Sequence, residues 1–420
     1  MHLASTRHIR HFMILFSLFT FAVPILAQDW TRWRGPNGDG TLTGFIEPAA
    51  WPAALKQRWK VNVGEAHSSP VIAGGRVYQL SRQGDNEIVR ALELSSGKQL
   101  WIDSYPVNYK LGLSGSVAVG KHKQYPRSSP LLQNGKLYTV GIGGTLSCYD
   151  TATGKLAWRR DFRDQFKDTA PGFGASASPI IDRGLLILHC GNDDNGALIA
   201  MDANTGATKW QWNGDGPGYA TPIVATFMGT RQIITHSAHH IIAIWPENGG
   251  LLWKIPFTTS YTQNSITPVV YKDTLILSGL DKGIFAVRPK YQNGQWAADQ
   301  VWRNDEISLY MSSPILSGNQ LYGLSHKNKG QFFCMDAGTG KLMWRGQPRQ
   351  AENAALVIGG NVMFWLNNDA ELIAVRVNGG NYEEIKRYKV ADSETWAHPA
   401  ISGKQIVIKD YSSLTLWSLE

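Results

Sequence analysis

One short theme, two small residues and a proline at the head of an apolar run, recurs along this chain and constrains its fold more than any other feature. It stands as Ser68-Ser69-Pro70, Ser128-Ser129-Pro130, Ala177-Ser178-Pro179, Ala220-Thr221-Pro222, Ile266-Thr267-Pro268 and Ser312-Ser313-Pro314. A further copy reads Ala397-His398-Pro399, and a degenerate one lies around Asn353-Ala354-Ala355. Proline is tolerated at the first residue of a strand, where no ladder donor is yet required, so each copy marks a strand start. Hairpin signals follow, as in Gly75-Arg76-Val77-Tyr78 and Gly135-Lys136-Leu137-Tyr138, where glycine supplies the positive φ of a tight turn. The unit closes on Asp150-Thr151-Ala152-Thr153-Gly154 and then Trp158, with counterparts at Asp202 to Gly206 before Trp210 and Asp336 to Gly340 before Trp344. Aspartate folds back on its own backbone and glycine takes the left-handed conformation, so these aspartates read as turn formers rather than acids or metal ligands.

The closing tryptophans fall at Trp59, Trp101, Trp158, Trp210, Trp253, Trp302 and Trp344, with Tyr388 where an eighth is due. A period of forty-odd residues suits a four-stranded unit with variable loops. A solenoid shares that periodicity, and the chain ends decide between the two. The last repeat, Ala397 to Leu419, has three strands and no closing tryptophan, whereas Leu55-Lys56-Gln57-Arg58-Trp59-Lys60-Val61 is a closing strand with nothing before it. The expected fold is therefore all-β: an eight-bladed β-propeller of four-stranded blades, the last blade closed by the N-terminal strand around Trp59. The tryptophans are expected to pack between neighbouring blades, and almost no helix is expected.

Length alone would allow 420 residues to form two or three domains, and the repeats overrule that prior. The division read here is 1–27 signal peptide, 28–54 N-terminal segment and 55–420 propeller. Residues 1–27 carry Arg7 and Arg10, no acid, a mostly apolar run from Phe12 to Leu26 and a small Ala27. That is the pattern of a secretory leader cleaved near Ala27, and the run is short for a membrane span. The mature chain is expected to be exported to the periplasm or beyond, with no transmembrane segment. The formal charge of +8 is modest for this length and, in an exported protein, argues against nucleic acid as a partner. Cys148, Cys190 and Cys334 form no CxxC pattern and read as buried thiols.

These units resemble the quinoprotein-like propeller superfamily, which contains the pyrroloquinoline-quinone dehydrogenases and the BamB-type outer-membrane assembly lipoproteins. The stretch Asp29-Trp30-Thr31-Arg32-Trp33-Arg34-Gly35-Pro36-Asn37-Gly38-Asp39-Gly40 and the end Ser413-Leu414-Thr415-Leu416-Trp417-Ser418-Leu419 resemble exported members of that group described only by their fold. Such motifs are specific for fold and nearly silent on activity. The resemblance implies that a dehydrogenase would need adjacent cysteines, calcium ligands and an aspartate base. Here no two cysteines are adjacent and no CxxCH exists for haem. The lipid-bearing cysteine of the assembly lipoproteins is also missing after Ala27. No cofactor and no metal are expected, with pyrroloquinoline quinone plus calcium as the alternative.

In a propeller the loop entering each innermost strand lies on one rim. Residues three before the repeat proline are His67, Arg127, Ser176, Tyr219, Ser265, Met311, Glu352 and Trp396, and they are expected to ring the axial mouth. The departures from small polar residues, His67, Arg127, Tyr219, Glu352 and Trp396, are the candidate ligand contacts, with His398 beside them. A long loop from Ile102 to Pro126 adds candidate rim contacts Tyr109, Lys121, Lys123 and Tyr125, suited to stacking on sugars and pairing with anions. A second, Arg159 to Ala175, reads as a lid or decoration. His236, His239 and His240 would suggest zinc on a helix, but in a hairpin their directions are expected to diverge. Asn192-Asp193-Asp194-Asn195 reads as a turn between glycines rather than a calcium loop. No catalytic residue is assigned. The leading expectation is a ligand- or protein-binding scaffold working through its rim, with an unknown protein or glycan partner. The alternatives are a quinone-dependent oxidoreductase and the capture or cleavage of acidic polysaccharide, for which His67, Tyr219 and Arg127 would supply base and counter-charge.

Overall fold

The computed structural model describes residues 28–420 apart from 108, 110–123 and 167–169. The predicted leader and the residues Lys121 and Lys123 lie outside the described residues. The chain forms the expected eight-bladed propeller. Blade 1 is the antiparallel sheet Val71–Ala73, Arg76–Gln83, Asn86–Glu93 and Gln99–Pro106, ordered from the axis outward. Blades 2 to 7 repeat that order over residues 131–160, 180–212, 223–256, 269–304, 315–345 and 354–389. Blade 8 takes its three inner strands from residues 400–418 and its outer strand from Lys56–Asn62, which pairs antiparallel with Ser413–Ser418. The only helical pieces among the described residues are two single 3-10 turns, Ser260–Thr262 and Lys327–Lys329.

Blades are held together by tryptophan on glycine. Trp59, Trp101, Trp158, Trp210 and Trp302 each lie against the turn glycine of the following blade, respectively Gly97, Gly154, Gly206, Gly249 and Gly340. All five glycines have φ between +70° and +76°, and a Cβ built on any of them would fall within 2.3–2.9 Å of the indole. Only glycine satisfies both the left-handed backbone and the close approach. Four of these indoles also donate to the carbonyl one residue after the turn-opening position: Leu94 at 2.8 Å, Thr151 at 3.0 Å, Pro246 at 2.8 Å and Ala337 at 3.2 Å. The aspartates behave as turn formers, with Asp150 accepting from Thr153 N–H at 2.8 Å and Asp336 from Thr339 N–H at 2.8 Å. Blades 5 and 7 lack that turn, so the tryptophans before them differ. Trp253 donates instead to Gln232 of its own blade at 2.8 Å, and Trp344 packs against Tyr382.

The residue before each proline builds a second ring nearer the axis. Ser69 N–H donates to Ser129 Oγ, Ser129 N–H to Ser178 Oγ, Ser178 N–H to Thr221 Oγ1 and Thr267 N–H to Ser313 Oγ, all at 2.9–3.2 Å. His398 N–H returns to Ser69 Oγ at 2.9 Å, across the seam between blade 8 and blade 1. A hydroxyl on one blade thus satisfies an amide of its neighbour that the sheet leaves unpaired. The repeated serine and threonine are the sequence trace of this hoop.

The N-terminal segment enters the hub rather than lying outside it. Trp30 is fully buried and exchanges two 2.8 Å backbone hydrogen bonds with Ile72 of blade 1. Thr31 carbonyl accepts from Leu132 N–H of blade 2 at 2.8 Å. The chain then crosses to the far side, where the buried Arg34 donates to the Pro314 carbonyl of blade 6. Thr41–Leu42 adds a parallel strand to the inner edge of blade 7 at Ile358 and Gly359. That inner strand, Ala354–Gly359, is twice as long as the three-residue strand at the start of blade 1. It starts at Ala354-Ala355, without the repeat proline.

Cys148, Cys190 and Cys334 are buried and unbridged. Burial pushes the Cys148 thiol up to about 11 and the Cys334 thiol up to about 12, so both stay protonated.

The tryptophan contact is directly testable. Gly154→Ala forces an unfavourable φ and drives a methyl into Trp101, for a combined loss of about 3 kcal/mol. Gly135→Ala has the same φ of +73° but its nearest neighbour is 4.0 Å away, so it is expected to cost about 1 kcal/mol. Urea unfolding of the two variants side by side measures the difference.

Candidate functional site

Each innermost strand runs away from its proline, so the loops between blades and the turns between second and third strands share one face of the ring. That face opens into a cup of about 780 Å³ centred on the axis. All eight residues three before the repeat proline line it: His67, Arg127, Ser176, Tyr219, Ser265, Met311, Glu352 and Trp396. His398 lines it as well, and so does Tyr125. The remaining described rim candidate, Tyr109, is half-buried on the loop side, where its hydroxyl donates to the carbonyls of Pro171 and Gly172 at 3.1 Å each. Burial pushes that phenol up to about 12.

The floor is the N-terminal segment. Trp33 lines the cup and also a second cavity of about 250 Å³, which reaches Arg32, Asn37 and the inner strands of blades 3 and 4. Trp33, with Thr221 and Thr267, thus borders both cavities and stands at the base of the cup. Edge-on to Trp33, at 5.4 Å between centroids, stands His398. Burial, with the Arg34 charge beneath, lowers the His398 pKa to about 3, so this imidazole is neutral at physiological pH. Its Nδ1 is buried and has no hydrogen-bond partner among the described residues.

The walls divide by blade. On blade 8 and blade 1, Trp396 stacks on His67 at 5.5 Å and 21°, and Trp396 Nε1 donates to Glu394 at 2.8 Å. Tyr125 meets His67 edge-on at 5.9 Å, and its hydroxyl shares a hydrogen bond with Tyr411, which donates in turn to Glu65 at 3.1 Å. On blades 2 to 4, Arg127 donates to the Phe173 carbonyl, and Phe173 N–H donates to the Tyr219 hydroxyl at 3.2 Å. Burial lowers the Arg127 pKa and raises that of Tyr219, the latter helped by nearby Asp193. A phenol held protonated in this way is poorly suited to act as a base, which weakens the lyase chemistry sketched for Tyr219 with His67 and Arg127. Blades 5 and 6 supply Gln263 and Tyr310, joined by a 2.7 Å hydrogen bond from the phenol.

Trp33, Phe173, Gln263, Tyr310, Glu394 and Tyr411 are cup residues that the three-before-proline rule misses. Gln263, Tyr310 and Glu394 lie within two places of that position, and Phe173 sits in the Pro171-Gly172-Phe173-Gly174 turn read as a lid or decoration. Trp33 had no periodic signal at all.

Outside the cup, the histidine trio departs from expectation. His236 does point away, buried against Phe257 at 4.9 Å, and desolvation lowers its pKa to about 3. His239 and His240 converge instead of diverging. Both Nδ1 atoms approach the carboxylate of Asp215 at 2.9 Å, because the tight turn Ser237–His240 wraps around it. Burial alone would raise the Asp215 pKa, but hydrogen bonds from Ser237, His239 and His240 hold it well below the usual carboxylate range. Among the described residues no group of three or more His, Cys, Asp or Glu is placed to hold a metal ion.

A carboxylate with a depressed pKa contributes stability that is complete above its unfolded value of about 3.9 and is lost as pH falls through the folded one. Asp215→Asn is therefore expected to lower the unfolding midpoint at pH 7 and to flatten the loss of stability below about pH 4. Thermal unfolding of wild type and variant from pH 7 to pH 2 measures both effects.

A family model described as outer membrane protein assembly factor BamB matches residues 85–346. The outer membrane protein assembly factor BamB of Shewanella oneidensis is 25% identical over 313 residues, covering 71% of this chain and 75% of that protein. Among solved structures, BamB from Moraxella catarrhalis superposes with a TM-score of 0.62 at 15% identity, over 87% of this chain and all of the other. The quinohemoprotein alcohol dehydrogenase of Comamonas testosteroni superposes with a TM-score of 0.67 at 14% identity, over 93% of this chain and 80% of the other. At those identities the two structures speak to the fold.

Proposed function

Because this chain belongs to the family described as outer membrane protein assembly factor BamB, we propose that it is an exported, non-catalytic binding scaffold whose working surface is the cup-bearing face of the ring. One observation carries the reading: the repeat brings the eight strand-entry positions to one cup, and five of them hold large or charged side chains there, His67, Arg127, Tyr219, Glu352 and Trp396, where small polar residues would serve the fold. A pocket of this size with a few convergent polar groups is the default binding site of a fold. The family relatives are named as assembly factors for outer membrane proteins, and a protein partner docking over the same face is consistent with that. Among the described residues no helix is long and apolar enough to cross a membrane.

The quinone alternative fits this donor set poorly. Pyrroloquinoline quinone carries three carboxylates, which call for several cations. Among the described lining residues the permanent cation is Arg127, and it stands against the carboxylates Glu352 and Glu394. A calcium ion at the quinone would add the need for clustered acidic ligands, which the lining does not supply.

Photo-crosslinking in the source cell tests the scaffold reading. Exposed Tyr261 and Lys329 on the cup face are expected to capture a discrete partner when replaced one at a time by a photoreactive residue. Met228 and Trp245, exposed at turns of the opposite face, are expected to capture none. Crosslinks confined to Met228 and Trp245 would overturn the assignment.

A further inference from the structure

We infer that the cup binds a neutral saccharide, stacked on Trp396 and seated on the floor made by Trp33 and His398. The inference rests on the cup being a binding site and adds the chemical class of its occupant. Three observations carry it.

The first is the balance of charge. Arg127 enters the cup ahead of blade 2, and Glu352 and Glu394 ahead of blades 7 and 8. A polyanion in the cup would meet two carboxylates, and a polycation would meet a guanidinium desolvated by burial. Hydroxyl groups donate to carboxylates and accept from a guanidinium with equal ease. A polyhydroxylated, uncharged ligand is the class that satisfies both walls.

The second is the floor. His398 is nine-tenths buried and neutral, and its ring lines the cup. A neutral imidazole offers one donor and one acceptor, which suits a hydroxyl. Flat indole faces beside it, Trp33 below and Trp396 on the wall, suit the C–H face of a sugar ring, whose apolar surface they desolvate.

The third concerns the competing occupant, an extended peptide. Peptides commonly bind by adding a strand to an unpaired sheet edge. Here the strand-entry amides of Ser69, Ser129, Ser178, Thr267 and His398 are already bonded to the hydroxyl hoop. The inner edge of blade 7 is taken by Thr41–Leu42. Recognition in the cup is left to side chains, which favours a compact ligand.

The test uses the mature full chain and reads tryptophan fluorescence and calorimetry with maltose, cellobiose and N,N′-diacetylchitobiose, beside digalacturonate and trilysine. At least one neutral disaccharide is expected to bind saturably. Trp396→Ala and Glu352→Gln are each expected to weaken that binding tenfold or more, whereas Trp245→Ala on the opposite face leaves it unchanged; the two cup variants guard against misfolding of either. Binding of digalacturonate or trilysine alone overturns the inference, as does silence across the three neutral sugars. Sugar binding that neither cup variant weakens overturns it too. Failure here with crosslinks still on Tyr261 and Lys329 would leave the scaffold reading standing, and the reverse pattern would sink that reading alone.

Discussion

An indole laid flat on a glycine is the contact on which the rest of this molecule depends. Each sheet is apolar on both faces and is stable only when sandwiched, so the angle between neighbours must be set by something more directional than burial. The Trp101 and Gly154 pair shows how: the missing Cβ lets the ring touch the turn, and the indole N–H fixes its azimuth on the Thr151 carbonyl. Repeated around the ring, this sets the radius at which the inner strands stand. The axial space is then wide enough to admit a segment of the chain's own backbone.

That the architecture was legible in the sequence follows from this. The contact demands a tryptophan and a glycine-closed turn at a fixed distance, and it recurs in five of the blade junctions. The strand-entry proline and its hydroxyl neighbour are legible for the same reason, since the hoop from Ser69 to Ser313 requires a small donor and acceptor at each step. The closing role of the strand around Trp59 was visible as a surplus at one end and a deficit at the other. All eight strand-entry residues met in the cup because the repeat fixes their position whatever their chemistry.

What the repeat does not govern could not be read. Trp33 forms the cup floor but belongs to a unique segment whose path depends on Trp30 pairing with Ile72 and Arg34 reaching Pro314. Phe173 reaches the cup through a loop that folds inward on hydrogen bonds to Arg127 and Tyr219. The convergence of His239 and His240 on Asp215 joins a turn to an inter-blade loop, two places with no shared periodicity. In each case the deciding partner is distant in sequence and of ordinary residue type. Repeats build the frame, and the irregular segments between them give the frame its chemistry.

The seam of blade 8 joins Lys56–Asn62 to Ser413–Ser418, so nearly the whole chain lies between the two halves of one sheet. Closing a loop of that length carries an entropy penalty that only grows slowly with size, but it must be met before the pairing yields anything. Blades 1 to 7 consist of local hairpins, whereas closure of the ring needs the last strand. The molecule's maturation clock is therefore set at its seam: until Ser413–Ser418 arrives, an unclosed arc has two raw edges, and only their meeting turns a row of hairpins into a vessel.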